Sequence, residues 1–141
     1  MKKGSLHKKH SHLILLLLAV SLLGGCIQKE AKIRKIQDLD FEILTVGQVG
    51  NELSQMIEEK KRMPFRFTYE DDGMLYICIG YGEKPSGGYS ITVDELMEAE
   101  NAVYVNTSLI GPDNEDVKVK GTSYPNLIIR TKDIDKAVVF E

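Results

Sequence analysis

The sequence predicts a mainly β domain, a β-sandwich or mostly antiparallel sheet, with one packed α-helix and a preceding signal peptide. After residue 40, apolar and polar residues alternate in short runs, which is the period of a half-buried strand. Turn-forming Gly, Pro, Asp and Asn separate these runs. The segment after Gly50 has a helical period instead, so the class becomes α+β if that helix is counted.

The first 25 residues have the composition of a signal peptide. Four lysines precede the apolar run 13–23, which is too short to span a bilayer, and two glycines follow it. Leu23-Gly24-Gly25-Cys26 resembles the bacterial lipobox. In a lipobox the cysteine sulfur takes a diacylglyceryl group, the peptide is cut before the cysteine, and the new N-terminus is usually acylated, commonly with palmitate. We expect lipidation at Cys26 and anchoring to the extracytoplasmic side of the cell membrane. An ordinary secretory signal with an incidental cysteine is the alternative.

Cleavage before Cys26 leaves 116 residues, enough for one domain. We expect residues 26–39 to be the lipidated cysteine and a tether, because they show little periodicity, and residues 40–141 to form a single globular domain. Cleavage removes four lysines and no acidic residue, which lowers the formal charge from −3 to −7. Such an acidic domain is not expected to bind nucleic acid, and its membrane attachment would depend on acyl chains.

The domain is predicted to begin with a strand at residues 41–46. An apolar stripe between Val49 and Ile57 then indicates a helix. The basic run 60–62 suits the negative end of the helix dipole, and Pro64 prevents continuation. We therefore interpret this run as a helix end and not as a binding patch. Further strands are predicted at residues 65–70, 75–81, 89–93, 102–110, 117–120, 127–131 and 137–140.

The residue inventory argues against an enzyme. His7, His10 and His12 all lie in the signal peptide, so the domain lacks the base of a Ser-His-Asp or Cys-His hydrolase. Cys78 lies in an apolar strand and is expected to be buried and inert; with no histidine and no second free cysteine, a zinc site is excluded. The acidic run 113–116 lacks the length and glycine of a calcium loop. We predict no catalytic residue, metal or cofactor.

Residues 82–89, Gly-Glu-Lys-Pro-Ser-Gly-Gly-Tyr, are the most distinctive segment of the domain. A proline that fixes φ beside two glycines that permit positive φ predicts a shaped turn that displays Lys84 and Ser86. The segment is not a phosphate-binding P-loop, because a strand and not a helix follows it. A purely structural hairpin loop is the alternative interpretation.

The segment from Leu75 to Ile91 resembles the C-terminal domain family of the protease complex subunit PrcB, whose hallmark is a strand followed by G-x-x-P-[TS]-G-G-Y-S-I. Thr122-Ser123-Tyr124-Pro125, followed by apolar residues, is similar to that family's second conserved block. The resemblance extends over roughly residues 64–131. It implies a lipoprotein that associates with a surface protease, so the expected partner is an extracytoplasmic protein of that kind.

The run from Lys84 to Tyr89 also resembles the Asn-Pro-Thr-Thr-Gly-Tyr loop of chagasin-type cysteine-peptidase inhibitors, although the initial Asn and the second Thr are absent. Two functions therefore stay open. The leading hypothesis is a non-catalytic accessory subunit that docks a protein, and the alternative is an inhibitor that inserts this loop into a peptidase. The predicted contact residues are Glu83, Lys84, Pro85, Ser86, Gly87, Gly88, Tyr89, Tyr124 and Pro125.

Overall fold

A computed structural model describes residues 31–113 and 120–141, which contain two four-stranded sheets, a two-stranded ribbon and one α-helix. This architecture confirms the predicted mainly β class with one packed helix. The signal peptide, Cys26 and residues 117–119 of the predicted edge strand lie outside the described residues.

The described strands and helix have the following bounds in chain order: β1 Lys35–Asp38, β2 Phe41–Leu44, α1 Asn51–Lys60, β3 Pro64–Asp71, β4 Met74–Tyr81, β5 Lys84–Ser86, β6 Ser90–Ala99, β7 Val103–Ile110, β8 Lys120–Ser123, β9 Asn126–Lys132 and β10 Val138–Phe140. The first sheet has the strand order β1-β6-β7-β10, and β7 and β10 are parallel in it. The second sheet, β2-β9-β4-β3, is antiparallel. A separate two-stranded ribbon pairs β5 with β8.

The main core lies between the two sheets. The inward face of β4 is the one that the sequence pattern predicts, and it meets buried aliphatic residues of β9 in its own sheet and of β6 and β7 in the other. These residues are Leu75, Ile77, Ile79, Leu96, Val103, Val105, Leu127 and Ile129.

Helix α1 covers the opposite face of the second sheet. Gly50 is its N-cap, and its buried residues Leu53 and Ile57 pack with Cys78 of β4 and Ile128 of β9. Strands β4 and β9 are therefore buried on both faces. This double burial explains why they consist of nearly continuous apolar residues and not of a simple alternation.

Residues 35–39, which the sequence assigns to the tether, belong to the sandwich. Strand β1 pairs with β6, and the Leu39 N–H donates a hydrogen bond to the Leu96 carbonyl at 3.0 Å. The chain then crosses to the second sheet, where β2 pairs with β9. The tether prediction is wrong for these residues, because a short, charged edge strand with exposed side chains gives no alternating pattern.

Strand β6 continues to Ala99, well beyond the end that the sequence predicts at Val93. Its register with β7 shifts after Val93, where Asp94 is an extra residue whose carboxylate accepts hydrogen bonds from hydroxyls on both strands. Because of this bulge, the next side chain after Val93 that faces the core is Leu96. The alternation of apolar and polar residues is interrupted here, so the sequence pattern does not predict the second half of the strand.

Candidate protein-docking site

The two segments that the sequence singles out form one ribbon. Strand β5 pairs with β8, so that Lys84 lies opposite Ser123 and Ser86 lies opposite Lys120. The Ser123 hydroxyl also donates a hydrogen bond to the Ser86 carbonyl at 2.6 Å. The Pro-Ser-Gly-Gly segment and the Thr-Ser-Tyr-Pro segment therefore act as a single structural unit, although they are far apart in sequence.

The end of helix α1 brings two cations to this ribbon. The Lys61 ammonium lies 5.0 Å from the centroid of the Tyr124 ring, and the Arg62 guanidinium lies 5.8 Å from it. Arg62 also pairs with the Glu83 carboxylate at 3.3 Å, and the Glu83 N–H donates to the Arg62 carbonyl at 3.1 Å. The interpretation of residues 60–62 as a helix end alone missed this role, because the contacts come from distant parts of the chain.

We refer to the exposed and half-buried residues of this assembly as the loop-end surface, which comprises Lys61, Arg62, Glu83, Lys84, Pro85 and Tyr124. The sandwich supports it directly. The Tyr81 N–H donates to the Pro125 carbonyl at 3.0 Å, and the Tyr81 hydroxyl bonds to the Thr107 carbonyl across the two sheets at 3.1 Å. Because both ends of the ribbon are attached to sheet strands, its side chains are held in place before any partner binds.

Ser86 does not lie on the exposed surface. Its side chain is 8% exposed, and its hydroxyl has no hydrogen-bond partner among the described residues. The prediction that the turn displays this serine is therefore wrong, because pairing of β5 with β8 places it on the inner side of the ribbon. Lys84 is half-buried, whereas Pro85 and Gly88 are exposed.

Gly82 and Tyr89 flank the ribbon and fix its geometry. Gly82 has φ +74°, and a Cβ at this position would lie 2.9 Å from the Cδ atom of Pro64, so no other residue fits without strain. Tyr89 is half-buried, and its ring lies 3.3 Å from where a Cβ on Gly111 would be. The Tyr89 ring thus packs on the chain that follows β7. Gly88, with φ +88°, confirms that the turn uses a glycine in the left-handed region.

An open cavity of about 330 Å³ lies beside the loop-end surface, at the paired ends of β3 and β4. Its lining residues are Pro64, Phe65, Arg66, Ile79, Gly80 and Tyr81. Among these lining residues, no nucleophilic side chain lies beside a general base. The Tyr81 hydroxyl donates its hydrogen bond to the Thr107 carbonyl. The cavity therefore adds apolar surface next to the ribbon and carries no recognisable catalytic constellation.

Residues 31–113 and 120–141 contain no group of three or more His, Cys, Asp or Glu side chains that could hold a metal ion. The Cys78 thiol is buried, which confirms the predicted burial, and burial raises its pKa to about 12. Within the same residues, no helix has the length and apolar character needed to cross a membrane.

Comparison with known proteins finds a family to which this region is similar. Residues 75–132 match the family model described as PrcB C-terminal, and they extend from the start of β4 to the end of β9. No curated protein and no solved structure shows significant similarity to the chain. The matched segment contains both β5 and β8, and hence the whole ribbon. The predicted resemblance is therefore confirmed: residues 75–132 of this chain are similar to the PrcB C-terminal family.

Proposed function

We propose that this protein is a non-catalytic, lipid-anchored module on the extracytoplasmic side of the cell membrane, and that it docks another protein through the loop-end surface. One observation carries the proposal: the two segments that mark the family meet in a single ribbon, beside a tyrosine ring flanked by two cations. The family is that of a protease complex subunit, which supports a protease or its precursor as the partner.

The composition of the loop-end surface suits protein recognition. Tyrosine and arginine are the residue types that most often dominate binding energy at interfaces, and Tyr124 and Arg62 lie side by side here. Exposed Pro85 adds an apolar contact with no rotamer freedom to lose. Because the ribbon is already fixed to the sandwich, few additional groups have to be ordered when a partner binds. Less of the free energy from the contacts is therefore lost to conformational entropy than for a mobile loop.

The docking proposal is tested by capture with the full-length, detergent-solubilised protein. We compare the parent chain with a Lys84→Glu, Pro85→Glu variant of the loop-end surface. The matched control is Lys132→Glu, a charge reversal at the opposite end of the second sheet. We expect the parent and the control to recover the same protease or precursor, and the ribbon variant to lose at least about tenfold in recovery, equivalent to about 1.4 kcal/mol. Equal recovery by all three proteins would contradict the proposal.

The lipid anchor is tested separately. We expect the mature N-terminus to be Cys26 carrying a diacylglyceryl group and an N-acyl chain, detected by mass spectrometry of the membrane fraction. Cys26→Ala should release the protein from that fraction. A mature chain that begins elsewhere, or an unmodified Cys26, would overturn this part of the proposal without affecting the docking surface.

The inhibitor hypothesis leads to a different result. Insertion into a peptidase cleft requires a projecting loop tip, whereas Ser86 is buried and the strand around it is paired with β8. This arrangement favours docking over insertion. We therefore expect no slowing of cysteine or serine peptidases by a micromolar excess of the protein, measured with fluorogenic substrates. Stoichiometric inhibition would reverse the order of the two hypotheses.

A further inference from the structure

Strand β6 has an open edge over about half of its length. On one side it pairs with β7, whereas on the other side β1 reaches only residues 97–99. The Leu39 N–H adds a hydrogen bond to the Leu96 carbonyl, and the chain then passes into the second sheet. Among the described residues, no strand pairs with this side of residues 90–95. The backbone edge that they present is about 17 Å long, which is enough for a further strand to pair.

Strand β2 of the second sheet runs along the same side of the sandwich, because β1 continues through Asp40 directly into it. In the register of β2 with β9, Phe41 lies opposite buried Thr131, and Ile43 lies opposite buried Ile129. Residues paired in this way point to the same face of a sheet, so Phe41 and Ile43 are on the face that carries the main core. They are nevertheless 41% and 52% exposed. The core is therefore open to solvent along this side.

A strand added to this edge would close the gap in the core. It would continue the line of β1 in the first sheet and lie across from β2 at the usual distance between packed sheets, about 10 Å. Its inward side chains would meet exposed Phe41 and Ile43, together with half-buried Ile91 and Val93 of β6, which already pack against the main core. Because these contacts remove surface from water, the inward positions of the added strand have to be apolar.

The outward positions of such a strand would meet an acidic rim. Asp94 lies on the outer side of the same edge, Glu95 lies 3.9 Å from Lys35 of β1, and exposed Asp40 is at the crossing between the sheets. Lys35 is bonded to Asp38 at 2.5 Å, so it neutralises little of this charge. Lysine or arginine at the outward positions would complement the rim, whereas acidic residues would be repelled.

We propose that residues 90–95 of β6 bind an extended segment of a partner protein by strand addition, and that this segment alternates apolar residues with lysine or arginine. Backbone hydrogen bonds hold the segment, and its alternating side chains match the open core and the acidic rim. A second copy of this chain suits the edge less well. Pairing of two such edges brings the Asp94 and Glu95 carboxylates of both copies together, and like charges across a strand pair are destabilising. The site shares no residue with the loop-end surface and does not depend on it.

The proposal is tested with a fluorescent peptide, Lys-Val-Lys-Ile-Lys-Val-Lys-Ile, titrated with the full-length protein in a non-ionic detergent. Fluorescence anisotropy is measured against micelles without protein. An added strand uses the amides of only one of its edges, so N-methylation of one alternate set of peptide amides should weaken binding at least about tenfold, and N-methylation of the other set should be tolerated. A peptide with glutamate in place of lysine should bind more weakly than the parent. No saturable binding up to about 1 mM, or equal binding of both N-methylated peptides, would overturn the proposal.

Two protein variants locate the binding site. Ile43→Lys places a charge in the open side of the core and should weaken peptide binding at least about tenfold. The matched control is Val139→Lys, which adds the same charge at an exposed apolar position on β10, the opposite edge of the first sheet, and should leave binding unchanged. Equal affinity of the two variants would contradict the site.

Hydrogen exchange of the parent protein gives a readout that does not depend on substitutions. With the peptide bound, the segment that contains residues 90–95 should exchange its amide hydrogens more slowly, measured by mass spectrometry. Slower exchange elsewhere but not in this segment would contradict strand addition. Chemical cross-linking without peptide tests the other occupant. A dimer that Ile43→Lys dissociates would assign the edge to a second copy and overturn the proposed partner.

Discussion

The two sheets of the sandwich differ in how many of their faces are covered. The second sheet has the main core on one face and helix α1 on the other. The first sheet also faces the core, but much of its other face is polar, with the Asp94 carboxylate accepting hydrogen bonds from Thr92 and Ser108. A small buried apolar cluster, Met97 with Ala99, Ala102 and Tyr104, lies near the β6–β7 turn. Stability is therefore concentrated in the second sheet, and its central strands should tolerate the least change.

An identical substitution on the two outer faces gives the largest expected difference. Ile128 is fully buried beneath α1, and Ile128→Ala should lower the free energy of unfolding by about 2–5 kcal/mol. Ile110 lies on the outer face of the first sheet and is 46% exposed, so Ile110→Ala should cost less than about 1 kcal/mol. Urea unfolding followed by circular dichroism measures both. Similar losses would show that the two outer faces are equally covered.

Glycine substitutions sharpen the same comparison. A Cβ on Gly80 in β4 would lie 2.2 Å from the Cε1 atom of Phe65, so the ring must move and Gly80→Ala should cost about 1–3 kcal/mol. Gly111 follows β7, and its Cβ would meet the Tyr89 ring at 3.3 Å, where a small shift relieves the contact. We expect Gly111→Ala to cost less than Gly80→Ala by the same unfolding measurement. Phe65→Leu should rescue part of the Gly80→Ala loss, and the absence of rescue would argue against the ring clash.

Thiol chemistry tests burial at the centre of the second sheet. Cys78→Ser places a hydroxyl among apolar side chains and should lower stability by about 1–2 kcal/mol. Because burial raises the pKa of Cys78 to about 12, its thiol should react with an aromatic disulfide reagent only after unfolding. A cysteine placed at exposed Ser90 in the first sheet should react at once. Rapid reaction of Cys78 in the folded protein would show that the helix opens readily.

The smallest expected effect concerns an ion pair between Glu98 of β6 and Lys136, which precedes β10. Hydrogen bonds from Lys136, at 2.7 Å, and from Gln37 lower the pKa of the Glu98 carboxyl in the folded protein. Since the folded pKa lies below the unfolded one, this stabilisation is present above the ordinary pKa of glutamate. It is lost as pH falls through the folded pKa.

Substitution of the lysine partner measures this contribution. Lys136→Met should raise the pKa of Glu98 and reduce the loss of stability between neutral and acidic pH, measured by urea unfolding across that range. Glu98→Gln removes the titrating group, so its free energy of unfolding should also fall less between neutral and acidic pH. If both variants lose as much stability as the parent over this range, the pair does not contribute to pH-dependent stability.

Most of the fold follows from local patterns, and the missed elements share a physical cause. The helix and strands β3, β4 and β9 show clear periods or apolar runs because one or both of their faces are buried. The sequence pattern predicts a tether at β1 because the four side chains of this strand are exposed, and only its backbone pairing reveals the strand. The second half of β6 was missed because the bulge at Asp94 shifts the alternation by one residue.

The candidate site was predicted in part. The family hallmark located the 82–89 loop and the 122–125 segment, but no local pattern shows that they pair through β5 and β8. Ser86 is small and polar, as exposed turn residues commonly are, and only the long-range pairing reveals that it is buried. Lys61 and Arg62 are basic residues at the C-terminal end of a helix, where the helix dipole favours them, and they also contact Tyr124. Because the helix dipole already accounts for these residues, the sequence gives no reason to expect the contact with Tyr124.

The crossing between β1 and β2 has a mechanical consequence. A pull applied to the chain before Lys35 acts along β1 and passes through Leu39 and Asp40 into β2, which belongs to the other sheet. The force is therefore shared by ladders in both sheets and is directed along the strands. Hydrogen bonds sheared in this direction must rupture together, whereas bonds peeled from one end break singly. Tension on the chain before Lys35 would therefore be resisted by several backbone hydrogen bonds in both sheets at once.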